Sequence, residues 1–183
     1  RDLRMSRGLG DVYKRQREHR MLEKTDYLNG YSLYIGIPFC PTTCLYCSFT
    51  SYPLSMYRDK VDEYLDALIK ELTFISGYMN GRGPDTIYIG GGTPTTLTAG
   101  QSDRLISSIE ELFDLNGLEE FTVEAGRPDS IDIDKLKILR KHGIDRISIN
   151  PQTMNQKTLD LIGRRHTAVS YTHLRAHETC ADL

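Results

Sequence analysis

The sequence predicts an α/β fold on a parallel sheet. Two observations carry this prediction: short apolar, β-branched runs alternate with longer segments of helical period, and the residues with chemical potential each follow one of the short runs. Ser32 to Ile37 (SLYIGI) reads as a buried strand. A helix is expected from Tyr57 to Ile75, because Tyr57, Val61, Tyr64, Leu65, Leu68, Leu72 and Ile75 recur at three- and four-residue steps. Thr86 to Ile89 (TIYI) is the second strand and ends in GGGTP; its helix runs from about Ser102 to Phe113. Glu120 to Glu124 (EFTVE) is the third strand. The next helix, from about Asp132 to His142, closes on Gly143 with Lys141 and His142 in its last turn, where cations and a following glycine are favoured. Arg146 to Asn150 (RISIN) is the fourth strand, and Gln156 to Ile162 the helix after it.

Such alternation with short links requires right-handed crossovers between parallel strands. Periodicity leaves two architectures open, a doubly wound sheet and a β/α barrel. A cysteine-rich loop follows the first strand, GGGTP follows the second, Glu124 ends the third and Gln152 follows the fourth. Parallel α/β folds assemble their active sites at these carboxyl ends.

Of 183 residues, 39% are hydrophobic and 26% charged, the composition of one globular domain with a core. A net charge of -2 gives no overall basic excess for nucleic acid or an anionic membrane, so neither is expected as a partner. No run approaches the roughly 18 apolar residues of a membrane span, and no apolar signal segment opens the chain, so a cytoplasmic location is expected. Residues 1–20 are basic without apolar period, and residues 168–183 lack a clean period as well. Both read as tails and resemble translated adapter-like sequence, so they are expected to be non-native or disordered around a core of residues 21–167. On that reading Cys180, His173 and His177 carry no functional message.

Three of the four cysteines, Cys40, Cys44 and Cys47, share the stretch GIPFCPTTCLYCSFT, and Cys180 stands alone. This is a poor disulfide framework. Thiolates are the usual protein ligands of a cubane iron-sulfur cluster, and three of them would hold three irons and leave the fourth open to a substrate or cofactor. A zinc site completed by a histidine remains an alternative, although zinc modules pair C-x2-C with a second distant pair that this chain lacks. Inert cysteines are the third alternative.

C-x3-C-x2-C with Tyr46 before the last cysteine resembles the radical S-adenosylmethionine superfamily. Together, YIGIPFCPTTCLYCSF, GGGTPT, TVEAGRPD and RISINPQTMNQKTLDLIGRRHT resemble the oxygen-independent coproporphyrinogen III oxidase family, most closely its coproporphyrinogen dehydrogenase branch. The likeness runs from about Tyr31 to Thr167. It implies a partial (β/α) radical-SAM barrel, truncated to about four β/α units, as the N-terminal part of a longer protein. It also implies that Cys40, Cys44 and Cys47 hold a [4Fe-4S] cluster whose open iron binds S-adenosylmethionine. Tyr34, Tyr46, Gly91, Gly92, Thr93, Glu124, Gln152 and Arg164 match cofactor-contacting positions. No further catalytic residue is assignable.

By the same resemblance, an electron from a reduced flavodoxin- or ferredoxin-like donor cleaves the sulfonium, and the 5′-deoxyadenosyl radical takes hydrogen from a propionate of coproporphyrinogen III. Loss of carbon dioxide and an electron leaves a vinyl group, and two such steps give protoporphyrinogen IX. An anionic porphyrinogen substrate calls for cations, and Arg127, Arg164 and Arg165 are candidates. The sequence departs from the commoner family pattern at Gly36, where a histidine is usual, and at Phe49, where the best-known oxidases carry a further cysteine. Two rival readings follow: a haem-binding chaperone of the same lineage, and a radical enzyme acting on RNA or another metabolite, which the near-neutral charge disfavours. The oligomeric state is not legible.

Overall fold

The computed structural model describes residues 29–49 and 51–164, together with Gln16, Arg20, His166, Thr167 and Val169. Most of both expected tails, including Cys180, His173 and His177, and also Arg165, lie outside the described residues. The chain divides into two compact units, Arg1–Tyr31 and Ser32–Leu183. Every element that follows belongs to the second.

Four strands form one parallel sheet: β1 (Ser32–Ile37), β4 (Thr86–Gly91), β5 (Glu120–Glu124) and β6 (Arg146–Ser148), in the spatial order β1-β4-β5-β6. Each new strand adds beside the one before it. A doubly wound sheet reverses direction at a switch point, whereas a β/α barrel adds strands in sequence, so the order resolves the choice that periodicity left open. A second ladder of two residues each pairs β2 (Phe39–Cys40) with β3 (Tyr52–Pro53). The helices are α1 (Leu54–Tyr57), α2 (Val61–Tyr78), α3 (Ala99–Leu112), α4 (Ile133–Lys141) and α5 (Gln156–Leu161).

Period-2 alternation divides the work of the sheet between its faces. Ile35, Ile37, Ile87, Ile89, Phe121 and Val123 are buried and join Val61, Leu65, Leu68 and Leu72 of α2, Leu105, Ile106 and Ile109 of α3 and Leu139 of α4 in one core. Tyr34, Gly36, Tyr88, Gly90, Thr122 and Glu124 occupy the alternate positions on the other face. The register sets Tyr34 beside Tyr88, Tyr88 beside Thr122, and Glu124 beside Ser148.

Element boundaries differ from the sequence expectation for local reasons. The expected helix at Tyr57–Ile75 is divided: α1 ends at Tyr57, a 3-10 turn covers Arg58–Lys60, and α2 continues to Tyr78. The apolar stripe carries through the turn, so period alone hides the break. α3 begins at Ala99 rather than Ser102, because Thr98 and Gln101 form a reciprocal capping box (Gln101 N–H to Thr98 Oγ1, 3.2 Å; Thr98 N–H to Gln101 Oε1, 3.0 Å). β4 extends through the first two glycines of GGGTP, and β6 stops at Ser148 rather than Asn150. α4 ends as expected, with Gly143 at φ +65°.

Candidate functional site

The cysteine loop leaves β1 and is closed at its base by the β2/β3 ladder, where the Tyr52 N–H also donates to the Pro38 carbonyl at 2.7 Å. Between these ends the described residues of the loop form no helix or strand. Its own tight turn joins the last two cysteines, the Cys47 N–H donating to the Cys44 carbonyl at 3.1 Å. All three thiols are free; Cys40 is buried, and Cys44 and Cys47 are half-buried. Burial pushes the Cys40 thiol up, an effect opposed by the Thr93 hydroxyl (3.5 Å to Sγ) and by the positive charge of Arg127.

The glycines of GGGTP have a structural task that the sequence reading missed. That reading set their backbone against a cofactor; the structure adds that they press against the cysteine segment itself. A Cβ on Gly92 would lie 2.8 Å from the Phe39 carbonyl oxygen and 2.9 Å from Cys40 Sγ, and Gly91 sits at φ +105°. The close approach lets the Gly92 N–H donate to Ile37 and the Thr93 N–H to Phe39, both at 2.8 Å.

Glu124 ends β5 half-buried. Burial raises its pKa above the ordinary carboxylate value, an effect opposed by a hydrogen bond from the Gly91 backbone and by the charge of Arg164. Arg164 is buried; its Nη1 donates to the Gly126 carbonyl (2.7 Å) and its Nη2 to the Tyr46 hydroxyl (3.1 Å), while its Nε–H is buried without a partner. A buried donor left unpaired in this way is rare and calls for an explanation. Gln152 adopts φ +64°, a left-handed conformation uncommon outside glycine, with its N–H held by Asn150 Oδ1 at 3.0 Å.

These groups line one cavity of about 140 Å³: the three cysteines with Tyr46, Gly91, Gly92, Thr93, Glu124, Gln152 and Arg164. Tyr34 stands apart from it. At 63% exposure it stacks on Tyr88 (centroids 5.9 Å apart) and lines a neighbouring cavity of about 530 Å³ that shares Gly91, Gly92, Phe49 and Glu124. Gly36 also lines this larger cavity, and its carbonyl accepts a hydrogen bond from the Tyr64 hydroxyl.

Arg127, expected as a substrate-facing cation, is 2% exposed and lines the cavity of the three cysteines with its guanidinium engaged by the protein itself. Its Nε and Nη2 bind the Asp129 carboxylate (3.1 and 3.0 Å), and Nη1 donates to the Thr42 carbonyl (3.1 Å) and Oγ1 (2.7 Å). Four of the five guanidinium N–H groups are thereby used. The i, i+2 pairing across the 3-10 turn Pro128–Ser130 is the only trace of this arrangement in the sequence. His166, which the sequence reading left without a role, is 4% exposed, and burial lowers its pKa, an effect opposed by the Pro151 backbone.

The donor set fits a cluster. The three thiols stand on one loop around one cavity, and thiolates are the usual protein ligands of a cubane. A cubane asks that each thiol reach its own iron. Arg164 and the Glu124 carboxylate, which line the same cavity, place one cation and one acid beside the thiols, as a zwitterionic amino-acid group would ask.

Parallel β/α architecture with three cysteines at the carboxyl end of the first strand defines the class, and comparison with known proteins agrees. The radical SAM superfamily model matches residues 34–182, and the chain belongs to that superfamily. It is 47% identical over 139 residues to the oxygen-independent coproporphyrinogen-III oxidase-like protein HemZ of Bacillus subtilis, covering 74% of this chain and 28% of that protein. It is 42% identical over 139 residues to the heme chaperone HemW of Lactococcus lactis, covering 75% of this chain and 35% of that one. The solved structure of coproporphyrinogen III oxidase (HemN) from Escherichia coli superposes with a TM-score of 0.73 at 33% identity, over 81% of this chain and 34% of the oxidase. The chain therefore spans about a third of the length of the relatives it matches. The kinship expected from the motifs holds. No helix among the described residues is long and apolar enough to cross a membrane.

Proposed function

We propose that Cys40, Cys44 and Cys47 hold a [4Fe-4S] cluster with one open iron, and that S-adenosylmethionine lies between the cluster and Tyr34, Tyr46, Gly91, Gly92, Thr93, Glu124, Gln152 and Arg164. The observation that carries this reading is the cavity in which all three thiols and seven of these eight residues meet. When bound, the cluster and the sulfonium supply one-electron chemistry that the protein lacks. The chain's own residues bind and orient. Arg164 offers its positive charge to a carboxylate, and Glu124 offers a half-buried carboxylate to an ammonium. Gly91 and Gly92 keep the floor of the site free of side chains, and Gln152 is set at the rim by its left-handed backbone.

For the parent protein we propose oxygen-independent oxidative decarboxylation of coproporphyrinogen III to protoporphyrinogen IX in the cytoplasm, with a reduced flavodoxin- or ferredoxin-like donor. The similarity to HemZ and HemN and the aromatic cavity beside the thiols support this. The polypeptide alone, about a third of such a protein, should not turn over. A second reading, a haem chaperone, draws support from identities of 42% and 43% to heme chaperones named HemW. Incubating a full-length version with reduced coproporphyrinogen III and, separately, with haem discriminates: vinyl product supports the enzyme, and stoichiometric haem retention without product overturns it in favour of the chaperone.

A further inference from the structure

The cysteine loop has no apolar anchor between its ends: none of residues 41–49 belongs to the hydrophobic core. Loops of this kind, with few buried apolar contacts, open at low free energy unless polar contacts restrain them. Past Cys44 the loop is held by the Leu45 N–H donating to the Ile162 carbonyl (3.2 Å) and by Arg164 on the Tyr46 hydroxyl; between Cys40 and Cys44 the grip is on Thr42. Its carbonyl and hydroxyl both accept from Arg127, 85 positions further along the chain, and its hydroxyl donates to the Gly163 carbonyl at 3.0 Å. Arg127 is itself fixed by the two-point pairing to Asp129. We propose that Arg127 is a positioning residue for the cluster: its guanidinium, locked by Asp129, holds Thr42 so that Cys40 and Cys44 stand at the spacing a cluster requires. The inference rests on the reading that these cysteines hold a cluster.

The geometry argues against a task confined to general stability. Replacing both partners of a buried ion pair by apolar residues often costs little, whereas removing one partner destabilises to the extent that the remaining charge is left dry. The Asp129 side chain keeps 20% of its surface accessible, so it is not left dry when Arg127 is replaced. The two-point fork on Asp129 with a double grip on Thr42 also requires arginine, since lysine offers a point charge and no planar fork.

The test uses the 183-residue chain, reconstituted anaerobically with iron and sulfide, and its variants Arg127→Met, Arg127→Lys and Thr42→Val. Three quantities are read: the rate of iron loss to a chelator, the change in the electron paramagnetic resonance signal of the reduced cluster on adding S-adenosylmethionine, and the thermal melt. Outer partners of metal ligands typically contribute roughly 10- to 100-fold to metal retention, so Arg127→Met and Arg127→Lys should lose iron about ten-fold faster or more. Both should show a blunted S-adenosylmethionine response while the melt stays cooperative. Thr42→Val, which retains the carbonyl contact, should fall between them and the unmodified chain. Iron retention and signal unchanged in Arg127→Met overturn the proposal, and a normal Arg127→Lys reduces the residue to a charge and overturns the positioning role. If Arg127→Met fails to fold, Thr42→Val decides: faster iron loss supports the grip, and unchanged loss overturns it. An unmodified chain that folds but takes up no cluster overturns the underlying reading itself, and the proposal with it.

Discussion

The helical layer and the cysteine loop meet the same strands and are held by opposite means. In the helical layer, Leu65, Leu105 and Ile109 are fully or almost fully buried, and α2 and α3 are each specified by their own apolar period, α3 with a capping box as well. The loop presents Leu45, Tyr46 and Phe49 to solvent and is fastened by hydrogen bonds from Arg127 and Arg164, 85 and 118 positions away in sequence. One region draws its stability from apolar area, and the other draws its geometry from a few polar contacts. Stability and site should therefore be separable by mutation.

The largest stability effect lies in the layer. Leu65→Ala removes a fully buried side chain between α2 and the sheet and should cost about 2–5 kcal/mol, read by denaturant unfolding. The comparison is broken if the loop variants destabilise the chain as much.

At the site the expected signs reverse. Glu124 has its pKa raised chiefly by burial, so its contribution to stability is full below the unfolded value and is lost as pH rises through the folded one. At neutral pH the ionised carboxylate is thus a liability in the ligand-free chain. Glu124→Gln should leave the melting temperature unchanged or slightly raised while weakening S-adenosylmethionine binding about ten-fold or more, as loss of a charged hydrogen bond does. Calorimetry with the reconstituted chain measures both.

Smaller effects sharpen the contrast in the layer. Thr98→Ala deletes one half of the capping box on α3 and should cost about 1 kcal/mol without altering cluster uptake. Asp103 has its pKa lowered by its hydrogen bonds to Lys141 and then His142. Its contribution is therefore present above the unfolded value and lost as pH falls through the folded one, so Asp103→Asn should flatten the acid limb of the stability profile slightly.

Much of the fold was legible because period survives without tertiary knowledge. β1 and β5 fall at their expected bounds, and α4 stops at Gly143 as expected. The β2/β3 ladder was not legible, since two residues carry no period, and the α1/α2 break was masked by a continuous apolar stripe. Strand order, which identifies the barrel type, exists only in three dimensions. At the site, cysteine spacing and the glycine run were visible as types. Arg127 showed only its charge; the hydrogen bonds it donates to Thr42, 85 positions away, left no motif in the sequence. Gln152 gave no sign of its left-handed backbone, because glutamine has no preference for it.

The central claim is that three thiols, held by polar contacts, carry an iron-sulfur cluster. Metal and sulfide analysis of the anaerobically purified chain, with its visible spectrum, tests it most directly. The account predicts brown protein with about four irons and four sulfides per chain and loss of the colour on Cys44→Ala. Colourless protein that carries a single zinc per chain would contradict it.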